Sequence, residues 1–244
     1  MKRSLIEGKF TKRLIPYQWP WTDNQGNLYP SIGTWAASRK FSLLYIIASV
    51  MIVAGLGFAS RSNCDGPWQI VFQCNWTMWM GQFHSDFWHF LLTCFTTAWF
   101  HNDLPHILFV AFFGFMFPVQ SFEVQHGTKM TVILYFAIYL YIGLSLGACS
   151  HLLKFFVGET EFVIQIFKRS WMGGSAGIFG IIGAMANWSK KTWFLLALIV
   201  LFEVFSYNIL GNNIYISIVH LNSTFFGFLF GYFWYDKKRI KAIP

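Results

Sequence analysis

Three short runs of this 244-residue chain hold residue types that could do chemistry. The first is Gly173-Gly174-Ser175-Ala176-Gly177-Ile178-Phe179-Gly180. Glycines around a serine let backbones approach closely and leave amide N–H groups near the hydroxyl. A helix starting there would also set its positive end beside Ser175, which suits a developing oxyanion. The same small residues would serve equally as a helix-packing seam, with the serine merely small. The second run is His220-Leu221-Asn222-Ser223-Thr224-Phe225-Phe226-Gly227-Phe228-Leu229-Phe230-Gly231. At about 100° per residue, positions 220, 224, 227 and 231 share one helical stripe, a histidine above a glycine track. If the two runs dock, Ser175 and His220 meet, and an imidazole in reach of a serine is the minimum for nucleophilic acyl transfer. A histidine that only bonds one helix to another is the plainer alternative. The third run is Phe100-His101-Asn102-Asp103-Leu104-Pro105-His106. Asp103 or Asn102 can cap a helix whose first turn holds Pro105, with His106 close behind. His101 and His106, five apart, align poorly on a helix and have no evident third ligand, so neither a metal nor any other cofactor is expected.

The rest of the sequence dictates what must position these residues. Hydrophobic residues make up 55%, aromatic ones 21% and charged ones 11%, with a mean hydropathy of +0.47. A soluble domain carries roughly 25% charge, so a disordered tail, a coiled coil and a soluble charged enzyme are excluded. The composition predicts an all-α, polytopic membrane bundle of six transmembrane helices. Its apolar runs are Phe41–Ala59, Leu104–Val119, Thr131–Phe156, Gly173–Trp188, Trp193–Leu210 and Ile216–Tyr235. A basic segment (1–40) precedes the membrane domain (41–236), and a basic tail (237–244) follows it. With six spans both termini share a side, and that side collects Lys2, Arg3, Lys9, Lys12, Arg13, Arg39, Lys40, Lys129, Lys190, Lys191, Lys237, Lys238, Arg239 and Lys241. The other side keeps Arg61, Lys154, Lys168 and Arg169. This asymmetry places the termini in the cytoplasm, and the net charge of +8 marks topology and contact with the lipid bilayer rather than nucleic acid.

Two further features stay open on sequence alone. Cys64 and Cys74, ten residues apart in the outer loop, either pair in an oxidising compartment or remain thiols. Glu203 falls within the fifth run, where a charge costs about 2.5–3.5 kcal/mol on insertion scales. It must be protonated, paired or turned to a cavity; Tyr207, one turn on, is the expected partner, and a catalytic role is the alternative.

In order and spacing these pieces resemble the rhomboid family of intramembrane serine proteases. His101 and His106 match that family's paired histidines opening the second span, Gly173 and Ser175 its serine motif, and His220 with Gly227 and Gly231 its sixth span. Trp88-His89 is similar to its Trp-Arg stretch, and Glu123, Gly127, Tyr135 and Tyr139 resemble its link between the second and third spans. The likeness runs from Trp88 to Gly231. It implies Ser175 as nucleophile and His220 as general base, a dyad without an acidic third member. It also implies His106 as oxyanion donor, Phe179 packed on the base, and Gly174 in support beside Gly173. Single-span transmembrane proteins would be the substrates. Three positions depart from the pattern: Val110 stands for an oxyanion-side asparagine, Ala176 for a glycine and His89 for the arginine. Losing one oxyanion donor can lower the rate by about 10²–10³. These departures motivate the alternative, an inactive rhomboid-like protein that binds membrane clients.

Overall fold

Where apolar residues run on without charge, an isolated segment has only its own backbone to hydrogen-bond, and the helix is the form that satisfies every group. A computed structural model describes residues 14–60, 62, 64–209 and 213–240, the last six of these by backbone alone. Among the described residues the apolar runs form six helices: α1 (Lys40–Leu56), α2 (Leu104–His126), α3 (Thr128–Val157), α4 (Ser175–Ala186), α5 (Thr192–Asn208) and α6 (Ile214–Ile240). The basic residues Lys2, Arg3, Lys9, Lys12, Arg13, Arg61 and Lys241, and Leu210 at the end of the fifth run, lie outside the described residues.

The boundaries differ from the sequence pattern for local reasons. α4 starts at Ser175 rather than Gly173, because Gly173 has φ +100°, a left-handed conformation that ends regular helix. α6 continues past Tyr235 through Lys237, Lys238 and Arg239. Within α2, residues Leu108–Val119 wind as a wide π-helix, and Pro118 inside it has no N–H to give to the usual ladder. α2, α3 and Ile214–Trp234 of α6 are long and apolar enough to cross a membrane. α1 and α5, of 17 residues, and α4, of 12, reach only about 26 and 18 Å at 1.5 Å per residue. Exposed faces of α3, α5 and α6 are apolar, as at Ile133, Phe155, Val200, Leu201, Phe225 and Phe233, and such a surface fits association with a membrane.

The all-helical expectation holds apart from one short pairing. Between α1 and α2 the described residues form three short α-helices, a 3-10 turn (Thr97–Trp99) and strand β1 (Met78–Trp79), which pairs antiparallel with β2 (Ser170–Trp171), Met78 opposite Trp171. The same loop contains a Cys64–Cys74 disulfide, with Cα atoms 5.8 Å apart, so the two cysteines are paired rather than free.

Two buried charges anchor α1. The Glu123 carboxylate accepts from the Phe41 and Ser42 amides at 2.8 and 2.9 Å and from the Ser42 and Thr128 hydroxyls at 2.8 and 2.7 Å. It thereby satisfies orphan N–H groups of the first turn, which has no side-chain cap of its own. Arg39, fully buried, donates to Gln120 Oε1, Ser38 Oγ and the Thr22 carbonyl, and lies over the Tyr29 ring.

α4 is the central helix, ten of its twelve residues buried, and its contact with α6 is the most extensive in the molecule. Glycines make that contact possible. A Cβ at Gly227 would strike the Gly180 carbonyl, one at Gly183 the Thr224 carbonyl, and one at Gly231 the Ala184 carbonyl. The glycine track of α6 thus lies on the small residues of α4, as the spacing predicts. Because the obstacle is backbone, Gly227→Val is expected to destabilise by about 3 kcal/mol or more, at the upper end for overpacking. Gly55→Val, at a helical glycine with open space around it, should leave the melting temperature of the detergent-solubilised protein nearly unchanged.

Candidate active site

The loop before α4 is fixed from three sides. The Tyr139 hydroxyl donates to the Gly173 carbonyl, and the Tyr135 hydroxyl to the Gly174 carbonyl at 3.3 Å. The Gly173 amide donates to the Thr97 carbonyl at 3.0 Å, while the Thr97 hydroxyl donates to the Trp171 carbonyl. Gly174, the N-cap, supplies no side-chain cap to α4. It has no room for one, since a Cβ there would meet the Tyr45 hydroxyl and lie 2.6 Å from Val110 Cγ1. The helix therefore begins at Ser175 with its positive end turned toward the serine.

α6 brings His220 to that point. His220 Nε2 lies 2.9 Å from Ser175 Oγ, and its Nδ1 lies 2.8 Å from Glu203 Oε1. A carboxylate only accepts, so Nδ1 carries the proton and Nε2 is left to accept from the serine hydroxyl. Phe179, one turn after Ser175, stacks on the imidazole with centroids 4.0 Å apart and an interplanar angle of 11°. Ser175, His220 and Phe179 thus come together as the sequence predicts.

Glu203 does not pair as expected. It is 3% exposed and reaches His220, whereas Tyr207 stands on the outer flank of α5 at 49%. The inner stripe of α5 is Leu195, Ile199, Glu203 and Ser206, and Tyr207 is off it. The expectation of a dyad without an acidic neighbour is corrected accordingly: a carboxylate touches the histidine.

The remaining predicted residues fall around this line. The His106 ring packs on Gly173 so closely that a Cβ there would overlap it, and its amide donates to Asp103 Oδ1 at 2.7 Å, the helix cap. Gly227 and Gly231 act at a distance, through the α4–α6 contact. Val110 is fully buried and apolar beside Gly174. His89 bonds the Asn75 carbonyl through Nε2 at 2.7 Å, within the outer loop. A cavity of about 60 Å³ opens on Ser175 and His220, walled by Thr97, Tyr139, Trp171 and Ala176 among others. At about 10–15 Å³ per water, it has room for several. Ala176 forms part of its wall without obstructing the serine. Among the described residues no cluster of three metal-ligating side chains occurs.

Thr97 and Tyr45 are parts of the site that sequence reasoning missed. Both act on backbone carbonyls across long separations, and no motif marks such contacts. Glu203 carried a signal that could have been followed: a carboxylate in an apolar run needs a donor, and the inner stripe of its helix points to one.

His101, just before α2, is 1% exposed, and neither ring nitrogen has a hydrogen-bond partner among the described residues. Burial, reinforced by the neighbouring His106, pushes its pKa down to about 3. The folded protein therefore keeps His101 neutral while the unfolded chain binds a proton below about pH 6.5. Stability should fall as pH drops through that window, by about 2 kcal/mol between pH 7 and pH 5 from this group. Melting temperatures across that range should decline more steeply for the wild type than for His101→Leu. The chain matches no protein-family model, no curated protein and no solved structure.

Proposed function

We propose that this chain is an intramembrane serine endopeptidase of rhomboid type that cleaves single-span membrane proteins. The observation that carries the reading is the 2.9 Å contact between Ser175 Oγ and His220 Nε2 inside a mainly apolar bundle. Hydrocarbon penalises unpaired polar groups by several kcal/mol, so a serine, an imidazole and a carboxylate in line are an expensive arrangement for packing alone.

In the proposed reaction Ser175 Oγ attacks the scissile carbonyl as His220 Nε2 takes its proton. The oxyanion forms against the Ser175 amide at the positive end of α4, with His106 beside Gly173 as the second donor. The C–N bond then breaks as His220 returns the proton to the leaving amine, and an ester on Ser175 remains. A water from the adjoining cavity gives its proton to His220, adds to the ester and releases the new carboxyl end, and the serine regains its hydrogen. No cofactor is needed.

The membrane setting rests on further support. α4 is only about 18 Å long and wrapped by other helices, so its serine end would sit below the level reached by α2 and α3. The Cys64–Cys74 disulfide sits in the loop joined by β1 to the serine loop, which fits an oxidising outer side and cytoplasmic termini. Six crossings, three of them by the shorter α1, α4 and α5, belong to this proposal.

Fluorophosphonate labelling of the purified protein tests the reading. The wild type should take label at Ser175 and Ser175→Ala should take none, and proteoliposomes of the wild type should cleave a single-span reporter. A folded wild type that takes no label leaves the client-binding alternative, to which buried Val110 at the oxyanion side already points.

A further inference from the structure

The contact between His220 and Glu203 is not needed for a serine–histidine pair, and it has a geometry of its own. Phe179 lies flat on the imidazole, which fixes the plane of the ring but leaves open a half-turn about the Cβ–Cγ bond that keeps that plane. A ring turned over in this way would direct a carbon, not Nε2, at Ser175. The choice of tautomer is likewise open to a stacked ring, since the aromatic face distinguishes neither nitrogen. The Glu203 carboxylate removes both freedoms. It accepts one hydrogen bond from Nδ1 at 2.8 Å, and that bond sets the rotation, puts the proton on Nδ1 and leaves the Nε2 lone pair toward the serine. It also stands ready to stabilise the imidazolium formed when the serine loses its proton.

The surroundings make this bond a specific one. Glu203 comes from α5, Ser175 and Phe179 from α4 and His220 from α6, so three helices meet at the imidazole. Its Oε1 is held by His220, and the hydroxyl of Ser217, one turn before His220 on the same helix, also bears on the carboxylate. No Lys or Arg lies in α5, and Glu203 forms no other salt bridge among the described residues. The contrast with Glu123 is direct: that carboxylate is spent on two amides and two hydroxyls of helix starts, whereas the closest contact of this one is with the imidazole.

Resting on the endopeptidase reading, we propose that Glu203 is the positioning residue of a Ser175–His220–Glu203 triad, acting on the reaction through His220. The test is the second-order rate of fluorophosphonate labelling of the detergent-solubilised full chain, with a melting curve for each variant. Glu203→Gln should label at least about 10³-fold more slowly than wild type, since neutralising the acid of a triad costs about 10⁴ in kcat. Glu203→Asp, which keeps the charge one methylene further back, should recover part of that rate. His220→Ala and the double variant His220→Ala/Glu203→Gln should label at the same low rate, because a residue that works through the imidazole has no effect once it is gone. The double variant should also melt higher than His220→Ala alone, in which the carboxylate is left buried without its partner.

Wild-type labelling with Glu203→Gln within about threefold of it would overturn the triad and leave the endopeptidase reading standing. So would losses that multiply in the His220→Ala background, which is the mark of a merely structural carboxylate. Should Glu203→Gln fail to fold, the Glu203→Asp rate decides: recovery to within tenfold of wild type supports the proposal, and a rate no better than that of His220→Ala overturns it. A folded wild type that takes no label overturns both.

Discussion

Everything at the site depends on how closely α4 and α6 approach. The two helices run parallel, and one register extends along their contact: Ser175 meets His220 and Phe179 meets Thr224, each pair 45 residues apart, while Gly180 faces Gly227 and Ala184 faces Gly231. In lipid no hydrophobic force draws apolar helices together, so close van der Waals contact must do it, and glycine allows the closest. Asn187, at the end of α4, adds a bond to the Phe228 carbonyl at 2.9 Å. A slip of one turn would move His220 by about 5.4 Å along the axis and out of reach of the serine. The glycines are thus remote from Ser175 and His220, yet they set the distance between the two.

Around this contact the polar groups are few, and nearly all are committed to holding backbone. Tyr135, Tyr139 and Thr97 tie the loop before α4, so the serine is presented from a fixed turn rather than a mobile one. Glu123 and Arg39 do the same for the start of α1. Tyr45 of α1 then stacks on Phe115 of α2 at 3.7 Å and donates to the Ala98 carbonyl, which carries that order up to the serine loop. The loop is therefore held in place by helices on both sides.

Much of this was legible in the sequence, for stated reasons. Apolar runs marked all six helices: five hold a dozen or more residues without a charge, the fifth is interrupted only at Glu203, and such runs have one structural outcome in an apolar medium. The glycine spacing in 173–180 and 227–231 pointed to the docking pair, and with it to Ser175, His220 and Phe179. Glu203 was placed in the right helix but given the wrong partner. The four-residue step to Tyr207 suggested a local bond, whereas the stripe Leu195–Ile199–Glu203–Ser206 turns the carboxylate inward. The helix start at Ser175 depended on the left-handed Gly173, which composition alone could not distinguish from the helix itself. The disulfide was undecidable because a ten-residue spacing permits pairing without requiring it. Thr97 was beyond reach, because its partners come from sequence far away in both directions.

Val110 and Glu203, taken together, suggest how the proposed catalyst is balanced. Where rhomboids resemble this chain most, an asparagine would face the oxyanion; here a buried valine packs against Gly174 instead. In the proposed reaction that leaves the Ser175 amide, the positive end of α4 and His106 to hold the developing charge, a deficit of about 10²–10³ if nothing else changed. A carboxylate on the far nitrogen of the base acts at a different point of the same transition state, by steadying the imidazolium that accompanies the oxyanion. The triad acid is worth up to about 10⁴ where it has been removed. The second magnitude is the larger, so in this proposal a site that gives up a donor on one side can retain its rate through a charge on the other. Both changes are also cheap in this fold. Valine fills its space without a polar group to satisfy, and Glu203 finds in His220 the donor that its burial demands.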